Sequence, residues 1–300
     1  TTGRYNVAVG NQALEANTTA VGNVAVGYQA LKSNTTGQEN TASGYQALYK
    51  NTTGNNNTAS GYQALYNNKG TTHYNSAFGY RALFSNGSTG GGGEHNVAVG
   101  YQALDANTTA CWNTAIGSNA LGANTTGANN TAVGANALDA NITGSNNTVL
   151  GFNTLGANTT GNFNVALGSG TLHANTTASY NTAVGSNALG ANTTGADNTA
   201  VGANALDTNT TGARNTAVGS SALTGAGTAD TDNTAVGYNA LATNSGGNFN
   251  TAIGSLALDA NTTGSTNTAV GRGAMGANTT GSLNVALGAF ALASNVYGNN

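Results

Sequence analysis

The sequence predicts an all-β fold, a parallel β-solenoid (β-roll) of about seventeen coils of 17 residues each. Three observations lead to this prediction. One motif recurs along the whole chain, its period is too short for a pair of helices, and each copy holds β-branched residues that favour strands. The composition fits no conventional globular core, because 38% of residues are hydrophobic but many of these are alanine.

The repeat is defined by the glycine that closes each run similar to N-T-A-V-G. Thirteen of the sixteen spacings between these glycines are 17 residues, and the others are 18, 21 and 18. The consensus N-T-A-V-G-x-N-A-L-x-A-N-T-T-G-x-x gives positions 1 to 17. Position 1 is Asn and position 5 is Gly in all seventeen copies, and position 9 is Leu in sixteen. A disordered low-complexity chain has no reason to keep a leucine in phase, so the repeat indicates an ordered fold.

Within one coil, residues 198–201 are predicted to form a short strand that ends at Gly202. A second short strand is expected to start at Ala205 and Leu206, and residues 209–212 to form a turn. Side chains at positions 2, 4 and 9 are expected to face the interior. The alanine at position 3 would then face outward as a smooth lateral surface; the alternative is a reversed phase with this alanine inside.

The invariant positions are expected to stack into structural ladders. Buried leucines are expected at position 9, turn glycines at position 5, and asparagines that bond from coil to coil at the corners. The representative ladder residues are Asn6, Asn23, Asn113 and Asn198, then Gly10, Gly117 and Gly202, then Leu14, Leu121 and Leu206.

Residues 1–300 are expected to form a single continuous repeat array. The 21-residue spacing predicts a looped insertion near residues 87–94 that leaves the strand stack intact.

Position 6 holds tyrosine in five consecutive coils, and these are the candidate contact stripe: Tyr28, Tyr45, Tyr62, Tyr80 and Tyr101. A second aromatic column at position 10 consists of Tyr49, Tyr66 and Phe84. The columns are expected either to stack and stiffen this part of the chain, or to contact a sugar or another protomer. Position 10 also carries Asp105, Asp139, Asp207 and Asp259, with Gly122, Gly156 and Gly190 among them. These glycines relieve repulsion between stacked carboxylates.

No residue pattern indicates catalysis, a metal site or a cofactor. His73, Glu94 and His95 lack the spacing of metal ligands, and Cys111 is the single cysteine. Only 6% of residues are charged, seven of them Lys or Arg, which disfavours nucleic-acid binding. No apolar run is long enough to span a membrane, and no signal peptide is visible.

The N-T-T, N-I-T and N-G-S tripeptides are glycosylation sequons on what is expected to be an exposed turn. Examples are Asn34, Asn124 and Asn141.

The motifs NTAVGYNALATN and YQALYKNTTGNNNTASGYQALY resemble the N-T-A-[VI]-G-x-x-A-L-x-x-N-T-T-G repeats of phage tail-fibre-like and bacterial surface proteins. They are also similar to the S-V-A-I-G repeats in the heads of trimeric autotransporter adhesins. This resemblance covers nearly the whole chain. It implies trimers of parallel β-rolls and attachment at a surface.

We therefore expect a non-enzymatic, extracellular structural protein that forms a surface fibre, filament or adhesin shaft on a cell or virion. Its expected partners are further copies of itself, as a trimer or filament, and a glycan or other cell-surface ligand. One alternative is the shaft of a phage tail fibre. The other is an ice-binding protein, although the adjacent threonines at positions 13 and 14 lack the T-x-T alternation that puts both hydroxyls on one face.

Overall fold

A three-residue β-strand recurs in every coil of the computed structural model, which describes residues 2–87, 91–225, 227 and 229–298. The described residues contain seventeen such strands and no helix, so the predicted all-β parallel solenoid is confirmed. The strands are β1 (Val7–Val9), β2 (Val24–Val26), β3 (Thr41–Ser43), β4 (Thr58–Ser60), β5 (Ser76–Phe78), β6 (Val97–Val99), β7 (Thr114–Ile116), β8 (Thr131–Val133), β9 (Thr148–Leu150), β10 (Val165–Leu167), β11 (Thr182–Val184), β12 (Thr199–Val201), β13 (Thr216–Val218), β14 (Thr234–Val236), β15 (Thr251–Ile253), β16 (Thr268–Val270) and β17 (Val285–Leu287).

The chain divides into two compact units, Thr1–Thr148 and Val149–Asn300. In the first unit, β1 to β8 pair in parallel, each strand with the next and without a shift in register. In the second unit, β10 to β17 do the same. A single continuous array over residues 1–300 stays a prediction.

The inward and outward sides of the strand are the reverse of those we favoured. The central alanines, such as Ala25, Ala132 and Ala200, are fully buried. The β-branched residues on either side are half-exposed or exposed, and Val201 is 37% exposed. A three-residue strand turns only its middle side chain inward. The interior it meets is already filled by leucine and asparagine, so the middle residue is small: alanine in sixteen coils and the buried Val149 in the other.

The leucine at position 9 is buried as expected except in the last coil: Leu121 and Leu206 are fully inaccessible and Leu14 is 8% exposed, but Leu292 is 37% exposed. The alanine at position 8 is buried beside it, as at Ala120 and Ala205. The core of a coil is therefore narrow, and in most coils it consists of one leucine and two alanine methyl groups; Thr154 and Thr171 replace one alanine, and Met275 replaces the leucine, in three other coils.

The second strand expected at Ala205 and Leu206 does not form. The backbone there alternates into the left-handed region, with φ of 56° at Asn204 and 52° at Leu206. Successive amides consequently point in opposite directions along the stack. Asn204 N–H donates to Ser186 O in the preceding coil at 3.0 Å, and Leu206 N–H donates to Ala222 O in the following coil at 3.0 Å. This segment is hydrogen-bonded to both neighbouring coils without being extended.

The glycines at position 5 occupy a backbone conformation that other residues rarely adopt. Their φ values are 129° at Gly10, 138° at Gly117 and 134° at Gly202. The next coil also lies against them, because a Cβ built on Gly202 would lie 2.5 Å from the Gly219 carbonyl oxygen. Conformation and close approach together explain why this position is always glycine.

The asparagines at position 1 form a buried ladder rather than a solvated corner. Asn198 N–H donates to Asn181 Oδ1 at 3.0 Å, and Asn198 Nδ2 donates to Gly212 O at 2.8 Å. Asn23 makes the same bonds to Asn6 Oδ1 and to Gly37 O, both at 2.9 Å. Asn113 repeats the pattern through Asn96 Oδ1 and Gly127 O. Each side chain thus joins two coils and also closes its own coil.

The predicted insertion at residues 87–94 falls partly on residues 88–90, which lie outside the described residues. The strands on either side of it pair directly and in register, with Ala77 opposite Ala98.

Candidate functional site

The outer sheet face, formed by the side chains at positions 2 and 4 of every strand, is one of two candidate surfaces. None of the seventeen described strands contains a charged residue. The face is most regular over β11 to β16, where six threonines at position 2 accompany six valines or isoleucines at position 4. Ile253 is 40% exposed, and in the first unit Phe78 is 42% exposed. The result is a flat face of methyl and hydroxyl groups.

The tyrosine column at position 6 is the second candidate surface, and its five rings do stack. Neighbouring ring centroids are 5.0 to 5.3 Å apart, with interplanar angles of 5 to 16°. Because each ring covers the face of the next, Tyr45 and Tyr62 present ring edges and hydroxyl groups to solvent rather than ring faces. The members are Tyr28, Tyr45, Tyr62, Tyr80 and Tyr101.

The second column, Tyr49, Tyr66 and Phe84, stacks in the same way at 5.1 and 5.2 Å. Burial raises the pKa of Tyr66, and the hydroxyls of Tyr49 and Tyr45 raise it further. A neighbour from each column acts on this one phenol, so the two columns lie close together.

Glutamines at position 7 form a side-chain ladder in the same coils. Gln46 Nε2 donates to Gln29 Oε1 at 2.8 Å, and Gln63 Nε2 donates to Gln46 Oε1 at 2.9 Å. Arg81 continues this position. Its guanidinium lies 4.2 Å from the Phe84 ring centroid and 3.2 Å from Asp105 Oδ2. Positions 7 and 10 therefore share a face.

His73 and His95, the histidines considered above as metal ligands, have structural roles. His95 stacks on Trp112 at 3.9 Å and on Tyr74 at 4.9 Å. The Nδ1 atom of His73 accepts a hydrogen bond from Asn55 N–H at 3.0 Å. Within the described ranges, no group of three or more His, Cys, Asp or Glu residues could hold a metal ion.

The three sequons named above are not available for glycosylation in the folded chain, contrary to the exposed turn that we expected. Asn34, Asn124 and Asn141 are fully buried. The Nδ2 atom of Asn34, to which a glycan would be attached, donates to Gly37 O at 2.9 Å. Asn124 and Asn141 make the matching bonds at 3.0 and 2.9 Å.

Sequence reasoning missed the role of Asp230. The coil around it has Ala226, outside the described residues, where sixteen other coils have asparagine. Asp230 is 4% exposed, and its Oδ2 accepts hydrogen bonds from Asn244 Nδ2 at 2.7 Å and from Gly227 N–H at 2.9 Å. Asp230 thus supplies the acceptor that Asn244 would otherwise find on an asparagine. The missing asparagine was the signal in the sequence.

Replacing Asp230 by asparagine should stabilise the chain at neutral pH. Burial raises the pKa of Asp230, against the opposing effect of its two hydrogen bonds. The stability that this carboxyl contributes is therefore full below its unfolded pKa near 3.8 and is lost as the pH rises through the folded pKa. We expect Asp230→Asn to raise the urea midpoint at pH 7 and to leave it nearly unchanged at pH 3. An equal shift at both pH values would contradict this account.

Comparison with family models gives no match, and neither does comparison with curated proteins. No helix among the described residues is long and apolar enough to cross a membrane.

Proposed function

We propose that this chain is a non-enzymatic structural protein that acts outside the cell, as a surface fibre, filament or adhesin shaft on a cell or virion. The observation that carries the proposal is the outer sheet face, which runs through the coils of each unit without a charged side chain. Soluble monomers rarely leave a long apolar patch uncovered. The buried leucine and asparagine ladders support the proposal as well, because their contacts join one coil to the next and so have a structural role.

The occupant of this face is a second copy of the chain. The side chains at positions 2 and 4 of the outer sheet face repeat at about the 4.8 Å spacing of paired strands. Parallel copies can therefore bring like residues together at every coil, with no charge to desolvate. The resemblance to trimeric adhesin heads points to the same assembly, with three copies around one axis.

The test is the mass of the full chain in solution, measured by sedimentation equilibrium. We expect a multiple of the 29.3 kDa chain mass. Val201→Lys combined with Val218→Lys puts two charges on the outer sheet face and should give monomers. Thr194→Lys combined with Thr263→Lys is the matched control, because both threonines are exposed on the turn at position 14. A wild-type chain that stays monomeric at high concentration, or a face variant that assembles normally, would refute the proposal.

Ice binding is the second candidate, and the observed orientation of the strand, with positions 2 and 4 facing outward, favours it. Thr199 and Val201 share the outer face, and the T-A-V or T-A-I pattern recurs in six consecutive strands. Such a face presents a regular two-dimensional array of hydroxyl and methyl groups, the arrangement that the adjacent threonines at positions 13 and 14 lack.

Thermal hysteresis measured on purified protein separates the two candidates. An ice-binding face should depress the freezing point below the melting point, and Val201→Lys with Val218→Lys should abolish the gap. A wild-type chain without hysteresis at millimolar concentration would eliminate ice binding and leave the fibre proposal untouched.

A further inference from the structure

A notch interrupts the position-10 column of the first unit at Gly122. The flanking coils carry Asp105 and Asp139 at this position, and the glycine between them leaves a shallow depression of about 290 Å³ that is open to solvent. Gln102 and Asn119, both at position 7, line it as well. Gly122 is not in the left-handed region, so its backbone does not require glycine. The missing side chain is what makes the space.

The second unit contains a second notch, in which Gly170 at position 7 and Gly190 at position 10 both lack a side chain. Gly190 lies between His173 and Asp207 at position 10, and the cavity there measures about 520 Å³. Position 7 again contributes amide side chains, here Asn153 and Asn187. Both notches are therefore lined from positions 7 and 10, over three coils in the first unit and four in the second.

An exposed aromatic residue directly precedes one of the position-7 residues that line each notch. Tyr101 directly precedes Gln102, and Phe152 directly precedes Asn153. In both cases the next coil has a serine at position 6, so the ring face toward that coil has no ring over it. Tyr101 is 52% exposed, against 41 to 44% for the other four tyrosines of its column, and Phe152 is 59% exposed. The tyrosine column thus ends at an accessible ring one coil before Gly122, whereas Phe152 stands alone two coils before Gly190.

The polar groups in the first notch are held in place by their neighbours. Arg81 donates from its Nη2 to Asp105 Oδ2 at 3.2 Å, and Asn119 Nδ2 donates to Asn136 Oδ1 at 3.4 Å. Burial raises the pKa of Asp105, and it raises the pKa of Asp207 in the second notch. The cavities therefore offer fixed carboxyl and amide groups in partly desolvated surroundings, where hydrogen bonds are strong.

This combination of groups selects one class of ligand. Carboxyl and amide oxygens accept hydrogen bonds from hydroxyl groups, and an open ring face packs against C–H groups. A pyranose presents both kinds of group within the size of these cavities. An anion would meet the carboxylates at close range. A metal ion would need more oxygen ligands than the two carboxylates of the first notch supply.

We propose that the notches at Gly122 and Gly190 bind neutral pyranose units of a glycan, with Tyr101 as the aromatic platform next to the first notch. This goes beyond the structural role proposed above and does not depend on assembly. The side chains lining each notch come from several coils, so a glycan bound at one notch can contact several coils of that unit.

The test uses three neutral hexasaccharides, cellohexaose, maltohexaose and mannohexaose, with the full chain in isothermal titration calorimetry and saturation-transfer NMR. We expect at least one of them to bind saturably and to receive saturation from aromatic protons. Gly122→Tyr combined with Gly190→Tyr fills both notches with the residue that position 10 already carries at Tyr49 and Tyr66. This double variant should bind at least tenfold more weakly, and Tyr101→Ala should also weaken binding.

Gly276→Tyr is the matched control, because it adds the same side chain at position 10 of another coil, and it should bind like the wild type. The Val201→Lys, Val218→Lys variant should bind as well, which separates this proposal from lateral assembly. The proposal fails if no hexasaccharide binds, if the filled variant binds as well as the control, or if calcium chloride alone gives the saturable signal.

Discussion

Leu121→Asp should destabilise the first unit by about 5 kcal/mol. The substitution removes a buried leucine side chain, which costs about 2–5 kcal/mol. It also puts a carboxylate into a core coil where the leucine is fully inaccessible. Hydrogen exchange should show lost protection that starts at this coil and spreads to its neighbours, because each coil is stabilised by those next to it. Urea denaturation followed by circular dichroism gives the size of the effect.

Leu121→Met is the control for this prediction. Met275 occupies the same position in another coil and is fully buried there. Swaps that conserve volume usually cost less than about 1.5 kcal/mol. If the aspartate and methionine variants unfold at the same urea concentration, the leucine ladder is not the core of the coil.

Gly117→Ala should cost about 3 kcal/mol, although it adds a single methyl group. A φ of 138° is strained for any residue with a Cβ. The new methyl would also lie against the backbone carbonyl of Gly134 in the next coil, which cannot move without breaking the stack. The urea midpoint should fall by most of the shift seen for Leu121→Asp.

Gly122→Ala serves as the comparison, five residues away in the same coil. Gly122 lies outside the left-handed region, and a Cβ there would meet Asn119 O at 3.2 Å. We expect little change in stability. Equal losses for the two alanine variants would show that backbone conformation does not explain the glycine at position 5.

The period of the repeat was enough to predict the parallel register and the buried leucine. A residue that recurs in phase must stack on its own copies, whichever way the chain turns between them. The sequence did not determine which side chains of the strand face the interior. Strict alternation in Thr199, Ala200 and Val201 permits either the middle residue or its two neighbours to face inward. Only the width of the coil decides between them, and that width depends on a long-range arrangement.

The segment at Ala205 and Leu206 shows a second limit. Leucine in the left-handed region is uncommon, and nothing in its local sequence announces it. The conformation is maintained by hydrogen bonds to coils on both sides, which exist only after the coils have stacked. The notches depend in the same way on neighbours 17 residues apart. Gly122 and Gly190 were visible in the sequence, but the tyrosine or amide beside them became relevant only in the stacked coils.

The buried asparagine ladder has a consequence for the chemical lifetime of the protein. Asparagine ages by deamidation, in which the backbone nitrogen of the following residue attacks the side-chain carbonyl carbon. Here that nitrogen is held by the strand, since Thr199 N–H donates to Asn215 O at 2.8 Å. The side-chain amide of Asn198 is fixed as well, because its Oδ1 accepts from Asn215 N–H in the next coil at 3.0 Å and its Nδ2 donates to Gly212 O at 2.8 Å. An asparagine-rich chain that would degrade quickly when unfolded should therefore keep these amides for as long as its coils stay stacked.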